Sequence, residues 1–173
     1  MSKLIIFAPK CGGNHLANMV GASQNLDNCL NFQKLNLKYH NDNNFRNTHM
    51  NDLFLKNQNK INHNSIYTGH LDEVWNNYHF IKNKIKDVLI IDLINKGCIN
   101  FRSHEISYLE SCAYTKPFIK KLFPDWYIES INLDDMLCSG DVLKFVLDST
   151  KFNISAQYKK LHDMWIDKIK DTI

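Results

Sequence analysis

The sequence predicts an α/β domain: a three-layer arrangement with a mostly parallel central sheet of four or five strands and helices on both faces. Three observations predict it. The apolar runs Leu4–Ala8 and Val88–Leu93 have the length of strands buried on both faces. The first run leads into a glycine loop and then a helical pattern, with Leu16, Met19 and Val20 on one face. The chain has 173 residues, 44% of them hydrophobic and 12% aromatic, enough for one sizeable core and one domain over residues 1–173.

The first strand and helix lie within Lys3–Ser23. Pro9 bounds the strand, Pro9-Lys10-Cys11-Gly12-Gly13 makes a tight loop, and Asn14 is the expected helix cap. A strand, a glycine loop and a helix N-terminus form the geometry that holds a phosphate or sulfate, because the first amides lack intrahelical partners and the dipole favours an anion. Gly12 and Gly13 would let backbone approach such a ligand, and Lys10 would bring a charge. The same residues also read as a first strand–helix turn that is glycine-rich for packing alone. No GxxxxGK[ST] pattern is present, which disfavours an ordinary ATP or GTP loop. A cysteine phosphatase would need an Arg six residues after Cys11, where Ala17 stands.

Thirteen of the 41 residues from 24 to 64 are Asn, and their interleaved apolar residues keep no clean period. That stretch reads as a connection with short helices near Leu26–Leu35 and Asn51–Lys56, part of it a flap over the first loop. A short strand follows at Ser65–Thr68, then Gly69-His70-Leu71. Asp72–Lys82 has helical spacing through Val74, Trp75, Tyr78 and Ile81. Its aromatics read as core, with a second reading in which Trp75 or Tyr78 lines a pocket.

After Val88–Leu93 the pattern fits either a strand at Gly97–Phe101 or a helix from Leu93, ending at Arg102. Only Arg46 and Arg102 are arginines, against 19 lysines, and a guanidinium fork suits a phosphate. Arg102 reads equally as a surface helix cap. A helix over Ser103–Phe123 is expected to break near Lys116-Pro117, before a strand at Trp126–Ile131. A helix from about Asp141 is expected to turn Val142, Phe145 and Val146 inward. Ser155 would cap a last helix with the stripe Tyr158, Leu161, Trp165 and Ile169.

Composition narrows the partners. A net charge of +3 gives no sign of nucleic-acid binding. No apolar run reaches the roughly 18 residues of a membrane span, and the N-terminal run is too short for a signal peptide. Five scattered cysteines without CxxC spacing (Cys11, Cys29, Cys98, Cys112 and Cys138) suit free thiols in a reducing cytoplasm. His104-Glu105 begins an HExxH pattern, but position 108 is Tyr, so no zinc motif follows.

Pro9-Lys10-Cys11-Gly12-Gly13-Asn14-His15 resembles the 5′-phosphosulfate loop of the sulfotransferases, which reads roughly PKSGTTW after the first strand. Pro9, Lys10 and Gly12 agree in place; Cys11 stands for Ser, Gly13 and Asn14 for two Thr, and His15 for Trp. Thr68-Gly69-His70-Leu71 resembles the family's Thr-His-Leu segment with one residue inserted, and Thr68 stands where many members have Lys. Arg102 with Ser107 or Ser111 resembles the pair that holds the 3′-phosphate, and the segments YIESINLDDML, VLKFVLDS and LHDMWIDKI resemble the tail of small members.

The resemblance implies a P-loop-like fold and metal-independent sulfuryl transfer. The donor would be 3′-phosphoadenosine 5′-phosphosulfate (PAPS), and the acceptor a hydroxyl or amine on a small molecule or carbohydrate. It implies that Lys10, Cys11, Gly12, Gly13, Asn14 and His15 hold the 5′-phosphosulfate, with Lys10 also neutralising the leaving oxygen. It implies His70 as general base, the residue type suited to proton removal near neutral pH, and Arg102 with Ser107 on the 3′-phosphate. Two other classes remain open: a phosphoryl-transfer enzyme using Mg²⁺ near Asp92, and a non-catalytic nucleotide- or anion-binding module on the same fold.

Overall fold

Four strands, β1 (Ser2–Ile6), β2 (Ile66–Gly69), β3 (Ile85–Asp92) and β4 (Tyr127–Asn132), pair in parallel in the order β2-β1-β3-β4. The structure, a computed structural model, describes residues 2–9, 11–26, 63–93 and 112–170. The two central strands are the two apolar runs of the sequence, and Leu4, Ile5, Ile6 and Val88–Ile91 are fully buried. A strand covered on both faces has no polar side to show, so it reads as a run rather than an alternation. Leu4 lies opposite Tyr67 on one side and Val88 on the other; Ile6 lies opposite Gly69 and Ile90.

The helices are α1 (Gly13–Ser23), α2 (Leu71–Ile81), α3 (Lys116–Leu122), α4 (Leu133–Met136), α5 (Gly140–Asp148) and α6 (Lys159–Lys170), the last preceded by a 3₁₀ turn at Ala156–Tyr158. From β1 the chain crosses through α1 to β2, then back past β1 through α2 to β3. Right-handed crossovers made in opposite directions put α1 and α2 on opposite faces. On the α2 side Tyr78, Phe123 and Trp126 meet ring to ring, with centroids 4.8–5.1 Å apart. On the α1 side the C-terminal helices close the layer. Ser23 Oγ accepts from the Ser155 amide at 2.8 Å, and Gln24 Nε2 donates to the carbonyls of Lys151 and Asn153 at 3.1 Å.

Some phases differ from expectation. In α5 the buried apolar side chains are Leu143 and Leu147, whereas Phe145 is 81% exposed and Val142 is also exposed. The segment Val142–Leu147 has apolar residues on two overlapping stripes, so period alone does not choose which stripe turns inward. Trp75 is exposed rather than core, because α2 rests on the sheet through Val74 and Ile81. The break expected near Lys116-Pro117 is present: residues 112–113 are helical, 114–115 form a bend, and α3 starts at Lys116 with Pro117 in its first turn, where its missing N–H leaves no bond unmade. Ser155 precedes the 3₁₀ turn and makes no side-chain cap. The start of α5 is held by Asp163, whose Oδ1 accepts from the Gly140 amide at 2.7 Å.

The helices expected near Leu26–Leu35 and Asn51–Lys56, most of the Asn-rich stretch, the Gly97–Phe101 strand and residues 103–111 lie outside the described residues. No helix among the described residues is long and apolar enough to cross a membrane.

Candidate functional site

β1 lies between β2 and β3, so the chain leaves neighbouring strands in opposite directions at their carboxyl ends, and the crevice there is where open α/β sheets bind ligands. Three segments converge on it: the loop after β1, His70 after β2, and Leu93 after β3. Tyr114 ties two of them together. Its hydroxyl accepts from the Leu71 amide and its carbonyl from the Leu93 amide, each at 3.1 Å.

The loop is a closed turn. The Cys11 amide donates to the Ala8 carbonyl at 3.2 Å, and the Cys11 thiol is buried. Gly12, not Asn14, is the helix cap. Its carbonyl accepts the first intrahelical bond, from the Leu16 amide at 3.0 Å, and Asn14 lies exposed in the first turn. Gly12 has φ 77°, a left-handed conformation that a side chain disfavours. The amides of Gly13, Asn14 and His15 precede the first intrahelical bond, so the helix N-terminus keeps the polarity that attracts an anion.

Packing also demands both glycines. A Cβ at Gly12 would sit 2.6 Å from the Trp165 ring, and one at Gly13 would sit 2.1 Å from the Phe7 ring. Gly13→Ala is therefore expected to destabilise the fold by about 2 kcal/mol, the overpacking range, read as a lower urea midpoint with unchanged slope. An unmoved midpoint would mean that the Phe7 ring yields freely.

The His15 side chain faces α6. Its ring stacks on Trp165 with centroids 4.5 Å apart and planes 9° apart, and its Nε2 lies 3.2 Å from His162 Nδ1. His162 is fully buried, and its Nε2–H donates to the Cys138 carbonyl at 3.1 Å. That bond makes His162 Nδ1 the acceptor and His15 Nε2–H the donor. Burial drives the His162 pKa down to about 4, against the smaller upward pull of the Cys138 carbonyl and Asp163. The His15 imidazole holds the loop to α6. Sequence reasoning passed over His162, although it falls on the same face as the predicted stripe, four residues after Tyr158 and three before Trp165.

His70 stands at the start of α2, partly buried. The Glu73 carboxylate accepts from its amide at 2.9 Å, and its Nδ1–H donates to the Phe7 carbonyl at 2.8 Å. A carbonyl can only accept, so Nδ1 carries the proton and Nε2 is the basic nitrogen of the neutral ring. The Phe7 ring packs edge-on against it at 4.9 Å. Thr68 is buried within β2. Asp92 is also buried, and its Oδ2 accepts from the Lys116 amide at 3.0 Å, so the carboxylate that Mg²⁺ chemistry would recruit already holds the start of α3. Lys10, Arg102, Ser107 and Ser111 lie outside the described residues.

Beside His70 a cleft of about 450 Å³ opens between α2 and α3, lined by Leu71, Asp72, Trp75, Asn76, Tyr114 and Phe118 among others. Among the described residues no cluster of three or more His, Cys, Asp or Glu is arranged to hold a metal ion. Comparison with protein-family models, with curated proteins and with solved structures finds no match to this chain.

Proposed function

We propose that the protein is a sulfotransferase acting from PAPS on a hydroxyl or amine of a small-molecule or carbohydrate acceptor. The observation that supports this best is His70: a histidine at the strand end beside the helix N-terminus, its proton fixed on Nδ1 by the Phe7 carbonyl. In this reading PAPS supplies the sulfuryl group. The amides at the start of α1, at Gly13, Asn14 and His15, bind the 5′-phosphosulfate, with Lys10 adding the charge that stabilises the leaving oxygen. His70 Nε2 takes the acceptor proton as the acceptor oxygen or nitrogen attacks sulfur. Arg102 and Ser107 grip the 3′-phosphate. Cys112 and Cys138, which form no disulfide among the described residues, support a cytoplasmic setting.

A second reading has support of its own. Gly12 lies under Trp165, Gly13 under Phe7, and the Cys11 amide is spent on Ala8, which favours a non-catalytic module whose glycines serve packing.

Thermal melts with 3′,5′-adenosine bisphosphate, AMP and ATP–Mg²⁺ identify the ligand, and activity lost in His70→Asn with bisphosphate binding intact separates enzyme from module. A ligand at about 100 times its dissociation constant adds roughly 2.7 kcal/mol. A shift with the bisphosphate that disappears in Lys10→Ala is expected. A shift with ATP–Mg²⁺ alone would replace sulfuryl by phosphoryl transfer, and no shift with any of the three would overturn the enzyme reading.

A further inference from the structure

The cleft between α2 and α3 has a chemistry that sulfuryl transfer does not use. Leu71, Trp75, Tyr114 and Phe118 give it apolar walls, and among the described residues Asp72 is the one charged member of its lining. Trp75 and Phe118 stand 55% and 41% exposed, although the neighbouring Ile119 and Phe123 are fully buried. Large rings carry most of the burial available to a small domain, so two left open at one concavity are surfaces awaiting a ligand's ring. The walls are fixed in place. Trp75 leans on the Phe123 ring at 6.0 Å, and the Tyr114 hydroxyl holds the Leu71 amide.

Asp72 is the discriminating group. An acidic residue in a first helical turn often serves the helix start, but Glu73 already does so through the His70 amide. A carboxylate at the mouth of an aromatic cleft selects positive charge, and the ring faces add to that selection. We propose that this cleft is a binding site for a small aromatic cation, with its ring between Trp75 and Phe118 and its ammonium on the Asp72 carboxylate. A volume of about 450 Å³ accommodates a ligand of that size. The proposal is independent of the sulfuryl-transfer reading, since it concerns binding and not turnover.

The test is titration of the full chain with 2-phenylethylammonium, its neutral counterpart 2-phenylethanol, and the anion 3-phenylpropionate. Calorimetry and the Trp75 indole N–H resonance report the binding. The ammonium is expected to bind saturably and at least tenfold tighter than the alcohol, with no binding of the anion. Asp72→Asn is expected to bring the ammonium down to the alcohol, and Trp75→Ala to weaken both without moving the melting temperature. Equal affinity for ammonium and alcohol in the unaltered protein would overturn the charge assignment. Absence of saturable binding, or resonance shifts confined to other residues, would overturn the site.

Discussion

Replacing His70 by Asn is expected, on the proposed function, to slow sulfuryl transfer by about two to four orders of magnitude, while the proposed melting shift with 3′,5′-adenosine bisphosphate stays as it was. The choice of Asn isolates the chemistry. Its side-chain amide stands where Nδ1–H stands and can keep the bond to the Phe7 carbonyl, but it has no counterpart to the basic Nε2. His70→Ala would instead remove that bond together with the base, and a lost rate would then be ambiguous. The rate is best followed in single turnovers with radiolabelled PAPS, which exclude product release. If His70→Asn transfers sulfate at the rate of the unaltered protein, His70 is a strand-end brace and the base lies elsewhere. If both rate and melting shift are lost, the substitution has damaged the loop through Phe7.

Acidification from neutral pH to about pH 4 is expected to destabilise the fold by about 3 kcal/mol through His162 alone. Its pKa is lowered from 6.5 to about 4 in the folded chain. Between those values the unfolded chain binds the extra proton and the folded chain refuses it, so stability rises with pH across that window. The contribution is complete above the unfolded value and is lost as pH falls towards the folded one. Structurally, a proton on His162 Nδ1 would face the Nε2–H of His15 at 3.2 Å, two donors without an acceptor. Asp163 and the carbonyls of Cys138 and Met136 favour the charged form, but burial outweighs them. Urea midpoints at about pH 7 and pH 4.5 should diverge more for the unaltered protein than for His162→Gln, which keeps a donor to Cys138 without a titrating group. An equal divergence of midpoints in the two proteins would remove His162 as the cause.

The sheet was legible because its central strands are buried on both faces, and Leu4–Ile6 and Val88–Ile91 leave little else for such runs to be. Phase was not legible where apolar residues are in excess. Phe145 looked inward by spacing, and only the tertiary position of α5 gives the inner place to Leu143 and Leu147. The glycine loop was legible as a pattern of residue types, but its glycines turn out to answer two side chains, Phe7 and Trp165. The His15–His162 pair was beyond local reading, since 147 positions separate its members. Asp92 illustrates the converse. A carboxylate at a strand end looks chemically available in sequence, and the helix start that it holds lies 24 residues away.

The contact between Gly12 and Trp165 has a consequence for how the chain comes into being. A ribosome makes the loop about 150 residues before its covering ring, so the nascent β1–α1 segment waits through that length of synthesis before the loop is roofed. A contact of such long range also places this region late among those that close during folding. Release of the chain anywhere short of α6 would yield a polypeptide with β1 and α1 written in full and the loop between them uncovered.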